Sequence, residues 1–446
     1  MKSKIFTALF FAISLSVGIS VFFNFEGTSS QKQNLTQFPR FIEEGKLNFS
    51  FTNELSDYIT ENVAFHDKIV SVNAYLGNKI FKSSTQPQVV IGKNDTLYFK
   101  ETVNDYLGTY GLSDREIFNI CDTLSQIQRY CDRNSLKFAF TVAPNKNTLY
   151  PDNMPKRYIK SGQSNLERLN PILKNSEVNF VDLCKTFSTL DESYYYKTDT
   201  HWNQKGAIAG YEAIMQNLSE SYTSFKDIPL TRESEHRGDL GEMLYPGFNY
   251  TENENTANYN FNYKTLGKFK SADDIIIRTQ NENGKGSLLM FRDSFGIALF
   301  PFMAENFKSV YYTRQVPVDL TLADTQNCDT VIYEIVERNL KNILLYSPVF
   351  KAETVLPSKT LNCKYELQAE ENGELLHVFG AVNDALLTKQ KIFVCVLDED
   401  GNSVYYNTTG TFSGGESEKY SDTCFSAYID RSALPQNHVL KIVIGG

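Results

Sequence analysis

A chain of 446 residues exceeds the usual span of one hydrophobic core and calls for two domains or more. Its make-up, 41% hydrophobic and 22% charged, is that of a globular protein. A net charge of −9 excludes nucleic acid as a partner, because phosphates require a basic surface.

Lys2 and Lys4 precede Ile5 to Phe23, nineteen residues without a charge. That length crosses a bilayer as a helix, and the leading basic residues orient it N-in with the rest of the chain extracellular. A cleaved signal peptide is the rival reading, but its apolar core is shorter and ends in a small-x-small site. Ser20-Val21-Phe22-Phe23-Asn24-Phe25 offers no such site. The expectation is a single-pass anchor in the cell membrane over residues 1–25, and either reading exports the protein. Residues 26–50 are polar and read as a linker.

Over residues 53–81, Leu55, Ile59, Val63, Ile69, Val72, Leu76 and Ile80 recur at helical spacing and predict one or two helices. Ser113 and Glu116 make a capping box, and Ile117, Ile120, Leu124, Ile127 and Cys131 trace one face of the helix it opens. Residues 136–142 and 178–183 read as strands, and a helix follows Asn203. Ser287–Phe291 is a short apolar strand leading into a helical stretch, with further strands at Ser309–Thr313 and 330–335. Strands separated by helices imply a doubly wound α/β domain with a parallel sheet. Its crevice lies beyond the carboxyl ends of the strands. That rule singles out Pro144-Asn145-Lys146, Arg292-Asp293-Ser294 and Glu337-Arg338. After about residue 350, five short alternating strands separated by turns predict a small C-terminal β-sandwich. The seven cysteines form no C-x-x-C pair and read as small buried hydrophobes, with room for one disulfide among Cys363, Cys395 and Cys424. No metal or cofactor is expected.

Of five histidines, only His201 has an acid two positions earlier, in Asp199-Thr200-His201-Trp202. In extended or turning backbone, residues two apart face the same way. Asp199 can then accept the Nδ1–H of His201, fix its tautomer and stabilise the imidazolium formed as Nε2 takes a proton. Taken alone, the His-Trp pair reads as local packing. Ser294 stands at a strand-to-helix exit, where a hydroxyl can face the crevice beside N–H groups that hold an oxyanion. Alternatively Ser294 is only a helix cap, and Asp293 a rival base or a cap.

Arg292-Asp293-Ser294-Phe295 resembles the G-D-S-[LF] nucleophile block of SGNH hydrolases. Asp199-Thr200-His201-Trp202 resembles the D-x-H-W block of the alginate O-acetyltransferase (DHHW) branch, which also places that block before the serine. Ala143-Pro144-Asn145-Lys146, Gly238-Asp239-Leu240 and Tyr333 to Arg338 extend the likeness over roughly residues 40–345. The resemblance implies an SGNH-hydrolase-like catalytic domain over residues 26–345, and the strand pattern beyond it a β-sandwich accessory domain over 346–446. It implies a triad of Ser294, His201 and Asp199, and acetyl transfer to hydroxyls of an extracellular polysaccharide. The acetyl donor it implies is a membrane-bound O-acyltransferase. A carbohydrate acetyl esterase and a non-catalytic polysaccharide-binding or export factor are the alternatives. Two positions depart from the pattern: Thr200 replaces a second His, and Arg292 replaces the Gly of the serine block. Asn145, Trp202 and Arg292 are the candidate oxyanion or substrate residues. Asn145 is an oxyanion donor or a turn residue, and Trp202 packs the loop that aims His201 or stacks on a sugar. The Tyr194-Tyr195-Tyr196 run is a sugar surface or a half-buried strand.

Overall fold

In the computed structural model, residues 37–445 are described apart from 44, 63–65, 110, 189–192, 219–220, 352–363, 383–390 and 413–419. The anchor expected over residues 1–25 lies outside the described residues. No helix among those described is long and apolar enough to cross a membrane. Within the expected linker, Ile42–Glu43 and Lys46–Leu47 pair as a small hairpin around Gly45, whose φ of +79° favours glycine. The apolar periodicity that follows forms two helices, Phe51–Asn62 (α1) and His66–Leu76 (α2). Val89–Ile91 (β1) and Leu97–Phe99 (β2) then pair as a hairpin too short to show alternation in the sequence.

Asp114–Arg133 (α3) starts at the expected capping box: Ser113 Oγ accepts the Glu116 N–H, and the Glu116 carboxylate accepts the Ser113 N–H. Next come Lys137–Ala143 (β3), Asn165–Lys174 (α4), Phe180–Val181 (β4) and Gln204–Leu218 (α5). Leu230–His236 (β5) and Glu252–Ala257 (β6) form an antiparallel hairpin beside the sheet. Lys264–Leu266 (β7), Ile276–Gln280 (β8), Ser287–Phe291 (β9), Gly296–Asn306 (α6), Ser309–Thr313 (β10) and Thr330–Val336 (β11) complete this part. The main sheet runs β4-β3-β11-β9-β10-β8-β7. Its first five strands are parallel, while β8 and β7 add an antiparallel edge.

Alternation along each parallel strand feeds two cores. Phe138, Phe140, Leu289, Phe291, Val331 and Tyr333 pack towards α3 and α4. Ala139, Leu288, Met290, Ile332 and Val336 pack towards α5 and α6. Helices thus cover both faces, and the carboxyl ends of β3, β9 and β11 emerge side by side.

The C-terminal region contains two antiparallel sheets. One runs through Tyr365–Asn372 (β12), Leu375–Val382 (β13), Tyr420–Asp430 and Thr409–Phe412, and the other through Ser403–Asn407, Lys391–Asp398 and His438–Gly445. Val378, Phe425 and Ile429 from the first sheet and Val394, Tyr406 and Ile442 from the second share one cluster. Buried Ser347 ties this region to the α/β domain, its Oγ lying 2.7 Å from Thr409 Oγ1 and 2.8 Å from Ser426 O. Cys395 and Cys424 are free thiols, so no disulfide joins those two, and Cys363 lies outside the described residues.

Gly206 lets α5 approach the loop before it, since an added Cβ would lie 2.3 Å from Tyr194 O and 2.8 Å from Trp202 Cβ. Gly206→Ala is therefore expected to cost about 1–3 kcal/mol through overpacking. The measurement is the urea midpoint at constant slope; an unchanged midpoint would mean that α5 can move off the loop.

Candidate active site

Residues 196–201 form a tight loop closed by an antiparallel bridge between Tyr195 and Trp202 and by the Asn203 N–H on Tyr194 O at 2.8 Å. The loop is held from three sides. Buried Lys146, after β3, donates from Nζ to Leu97 O at 2.8 Å and Lys197 O at 3.1 Å. Burial pushes its ammonium down to about 8, against the pull of Asp199, Asp239 and Glu252. Glu252 of β6 accepts the backbone N–H groups of Lys197 and Thr198 at 2.9 and 2.8 Å. Asp239 accepts from Thr200, at 2.8 Å from N–H and 2.6 Å from the hydroxyl. Thr200 thus braces the loop through Asp239.

At the centre is Asp199, only 5% exposed. Its Oδ1 accepts from His201 Nδ1 at 2.7 Å and from the His201 N–H at 2.9 Å. Its Oδ2 accepts from His236 Nε2 at 2.7 Å and from the Asp239 N–H at 3.2 Å. Burial opposes ionisation, but hydrogen bonds from the two imidazoles outweigh it and hold the carboxyl well below the usual carboxylate range. His201 then presents Nε2 to Ser294 Oγ at 2.9 Å. The three residues expected to act together are brought into one hydrogen-bonded line.

Ser294 follows β9 by three residues and precedes α6 by two. Asp293 acts as a cap and brace: Oδ1 accepts the Phe295 N–H at 2.8 Å, and Oδ2 accepts the Val336 N–H at 2.7 Å. The Arg292 guanidinium donates to the carbonyls of Ala272 and Asp274 at 2.6 and 3.1 Å. It lines a separate cavity of about 150 Å³ rather than the Ser294 cleft, so the structure gives it a bracing place and not a substrate contact. Asn145 is buried at the exit of β3; its N–H donates to Glu337 Oε2 at 2.7 Å, and its Oδ1 has no partner among the described residues. The described contacts do not bring Asn145 to Ser294.

Ser294 and His201 open into a cleft of about 310 Å³ walled by Tyr196, His236, Gln204, Glu254, Ile297 and Pro301. A second hollow of about 420 Å³ shares Tyr196, Asn203, Gln204 and Glu254 with it and continues past Asn253 and Asn255. The two form one groove. Sequence reasoning missed His236 as a groove residue. His236 stands 37 positions from Asp199, and only its place just before Gly238-Asp239-Leu240 hinted at the site. Of the tyrosine run, Tyr194 and Tyr195 are core, and Tyr196 alone lines the groove.

Residues 89–265 match the model of a family described as the SGNH hydrolase-like domain of the acetyltransferase AlgX. This part of the chain is similar to the SGNH hydrolase-like domain of the AlgX acetyltransferase. The match contains Asp199, His201, His236 and Asp239 and ends before Ser294. No curated protein matches the chain. Among solved structures, Bacillus cereus PatB1 with a sulfonyl adduct is 18% identical, with 56% of this chain and 95% of that chain covered and a TM-score of 0.44. A DHHW family protein from Eubacterium siraeum is 15% identical, with 52% and 89% covered and a TM-score of 0.40. The O-acetyltransferase domain of Pseudomonas putida AlgJ is 14% identical, with 56% and 91% covered and a TM-score of 0.38.

In this SGNH-like domain Trp202 is buried, with Nε1 donating to Phe295 O at 3.0 Å and its ring edge-on to Phe187 and Phe295. It fastens the histidine loop to the serine elbow and offers no sugar-stacking face. Trp202→Ala should lose about 3–5 kcal/mol of stability along with activity. A variant with a wild-type unfolding midpoint that had lost only glycan binding would reverse that assignment.

Proposed function

We propose that this protein is an extracytoplasmic O-acetyltransferase that moves an acetyl group to hydroxyls of a cell-surface polysaccharide through a Ser294 acyl-enzyme. The observation that carries the reading is the alignment of Ser294, His201 and Asp199 at 2.9 and 2.7 Å within an AlgX-type domain. A non-catalytic factor has no need of that alignment.

In the first half-reaction His201 Nε2 takes the Ser294 proton as Oγ attacks the acetyl carbonyl carbon. The oxyanion needs N–H donors. Those of Arg292, Asp293 and Phe295 are engaged with Thr313 O, Glu334 Oε2 and Asp293 Oδ1 at 3.0, 3.1 and 2.8 Å. The Ser294 N–H is left to serve. Collapse breaks the bond to the donor oxygen, which receives the proton from His201. An acceptor hydroxyl then loses its proton to His201 and attacks the acyl carbonyl carbon; collapse breaks the bond from that carbon to Ser294 Oγ, which takes the proton back from His201 as the acetylated acceptor leaves.

The continuous groove supports a sugar chain as acceptor, because a transferase must hold the attacking hydroxyl better than water. Asn203, Gln204, Asn253 and Asn255 are suited to hydroxyls. Glu252 and Glu254 outnumber Lys205 in that lining, which suits neutral or amino sugars better than the carboxylates of a uronate chain. The basic start and uncharged run Ile5 to Phe23 support a single-pass anchor, N-in. Ile69, Val72, Leu76 and Ile80, exposed at helical spacing soon after that run, support a place close to the bilayer. There a membrane-bound O-acyltransferase would supply the acetyl group. The C-terminal sheets form a β-sandwich accessory domain in this reading.

Full-length protein in detergent, given a small activated acetyl ester, is expected to release acetate slowly, and Ser294→Ala should abolish release. Adding neutral or amino oligosaccharides should divert acetyl groups onto sugar, detected by mass spectrometry. Fast ester cleavage with no glycan of a broad panel acetylated would leave the esterase and sink the transferase.

A further inference from the structure

We infer that His236 is a positioning residue for the acyl transfer: its imidazole holds the second oxygen of Asp199, and its charge state sets how much negative charge Asp199 offers His201. This rests on the reading of Ser294 as the nucleophile. A carboxylate in a serine triad commonly serves one imidazole. Here Asp199 serves two, His201 on Oδ1 and His236 on Oδ2, each at 2.7 Å.

The place of His236 is built. At the end of β5 it pairs in register with Glu252. Its ring stacks on Tyr196, with centroids 3.7 Å apart and planes 10° from parallel. The Tyr196 hydroxyl is in turn bonded to Glu254. The groups that face the ring are Asp199 and Tyr196 from the histidine loop and Glu252 and Glu254 from β6; Asp239 reaches the same carboxylate oxygen through its N–H. Burial works against a charge on His236, but the bond to Asp199 and the carboxylates of Asp199, Glu254 and Glu252 raise its pKa above the usual histidine value.

The consequence for chemistry has a definite sign. A neutral His236 donates its Nε2–H and leaves the full charge of Asp199 to stabilise the His201 imidazolium. A protonated His236 neutralises part of that charge, which lowers the basicity of His201 and slows removal of the Ser294 proton. Activity should therefore climb as pH rises through the titration of His236, in addition to the titration of His201. The acid limb of the rate profile then falls by more than one proton.

The experiment compares full-length wild type, His236→Ala and His236→Gln on a small activated acetyl ester across pH, with NMR titration of the His201 ring. Glutamine keeps a neutral N–H donor and cannot titrate. Expected results are a kcat loss on the order of 10- to 100-fold in His236→Ala with KM little changed and recovery of most of it in His236→Gln. The acid limb of His236→Gln should be single-proton, and His201 should titrate higher than in wild type. The glutamine variant and the NMR readout keep the test decisive even if the alanine variant fails to fold. An acid limb and a His201 titration in His236→Gln identical to wild type would overturn the proposal. A wild type that never acylates Ser294 would instead overturn the reading on which it rests.

Discussion

A carboxylate held almost out of water must keep its charge, and the arrangement around Asp199 follows from that demand. Desolvation alone would protonate it. Four donors prevent this: two from His201, one from His236 and one from the Asp239 backbone. Removing one partner of a buried charged pair typically costs about 3–5 kcal/mol, so the loop cannot relax piecemeal. The remaining braces act on the same few residues. Lys146 and Glu252 grip Lys197 and Thr198, and Asp239 grips Thr200. The side chain that meets Ser294 is thereby aimed before any substrate arrives, which is what electrostatic preorganisation requires.

The braces come from parts of the chain far apart in sequence, and the parallel sheet is what gathers them. The exits of β3, β9 and β11 lie side by side, so Lys146, Ser294 and Glu337 emerge at one end of the sheet. The histidine loop sits on no strand of that sheet. It reaches Ser294 because Trp202 is fastened to Phe295 O and the His201 ring lies 4.7 Å from the Phe295 ring. Phe295 is thus the hinge-pin between loop and elbow. Its complete burial belongs to the core packed by α5 and α6 rather than to the cleft.

The central strands were legible because each is a short apolar run bounded by turn or helix signals, and Ser294, His201 and Asp199 were legible because spacing and strand exits constrain them. The antiparallel edge strands β7 and β8 were not. Their buried side chains are few, Ile277 and Thr279 among them, and an edge needs only one covered face. The β5–β6 hairpin was hidden for a related reason. It reads LTRESEH and ENENTA, polar but for its ends, because it buries little and serves instead to bring His236, Glu252 and Glu254 to the loop. Its pairing is set by tertiary partners that no local pattern encodes. Arg292 misled in the opposite way: its place in a nucleophile block suggested the cleft, whereas its long side chain leaves the elbow for the carbonyls of Ala272 and Asp274.

Charge is also managed on the far side of the nucleophile. Asp293 and Glu334 lie together beneath the elbow, joined by the Asp293 N–H on Glu334 Oε2 at 3.1 Å. Two anions there would repel both each other and an oxyanion forming at Ser294. Burial, and the neighbouring Asp293 after it, push Glu334 well above the usual carboxyl range. Asp293 itself accepts the N–H groups of Phe295 and Val336. Two carboxyls near Ser294 are thus shifted in opposite directions: donors hold Asp199 below the usual carboxylate range, and desolvation raises Glu334 above it. In the proposed acyl transfer, the lowered carboxyl of Asp199 faces the imidazole that would become positive as negative charge builds at the carbonyl oxygen.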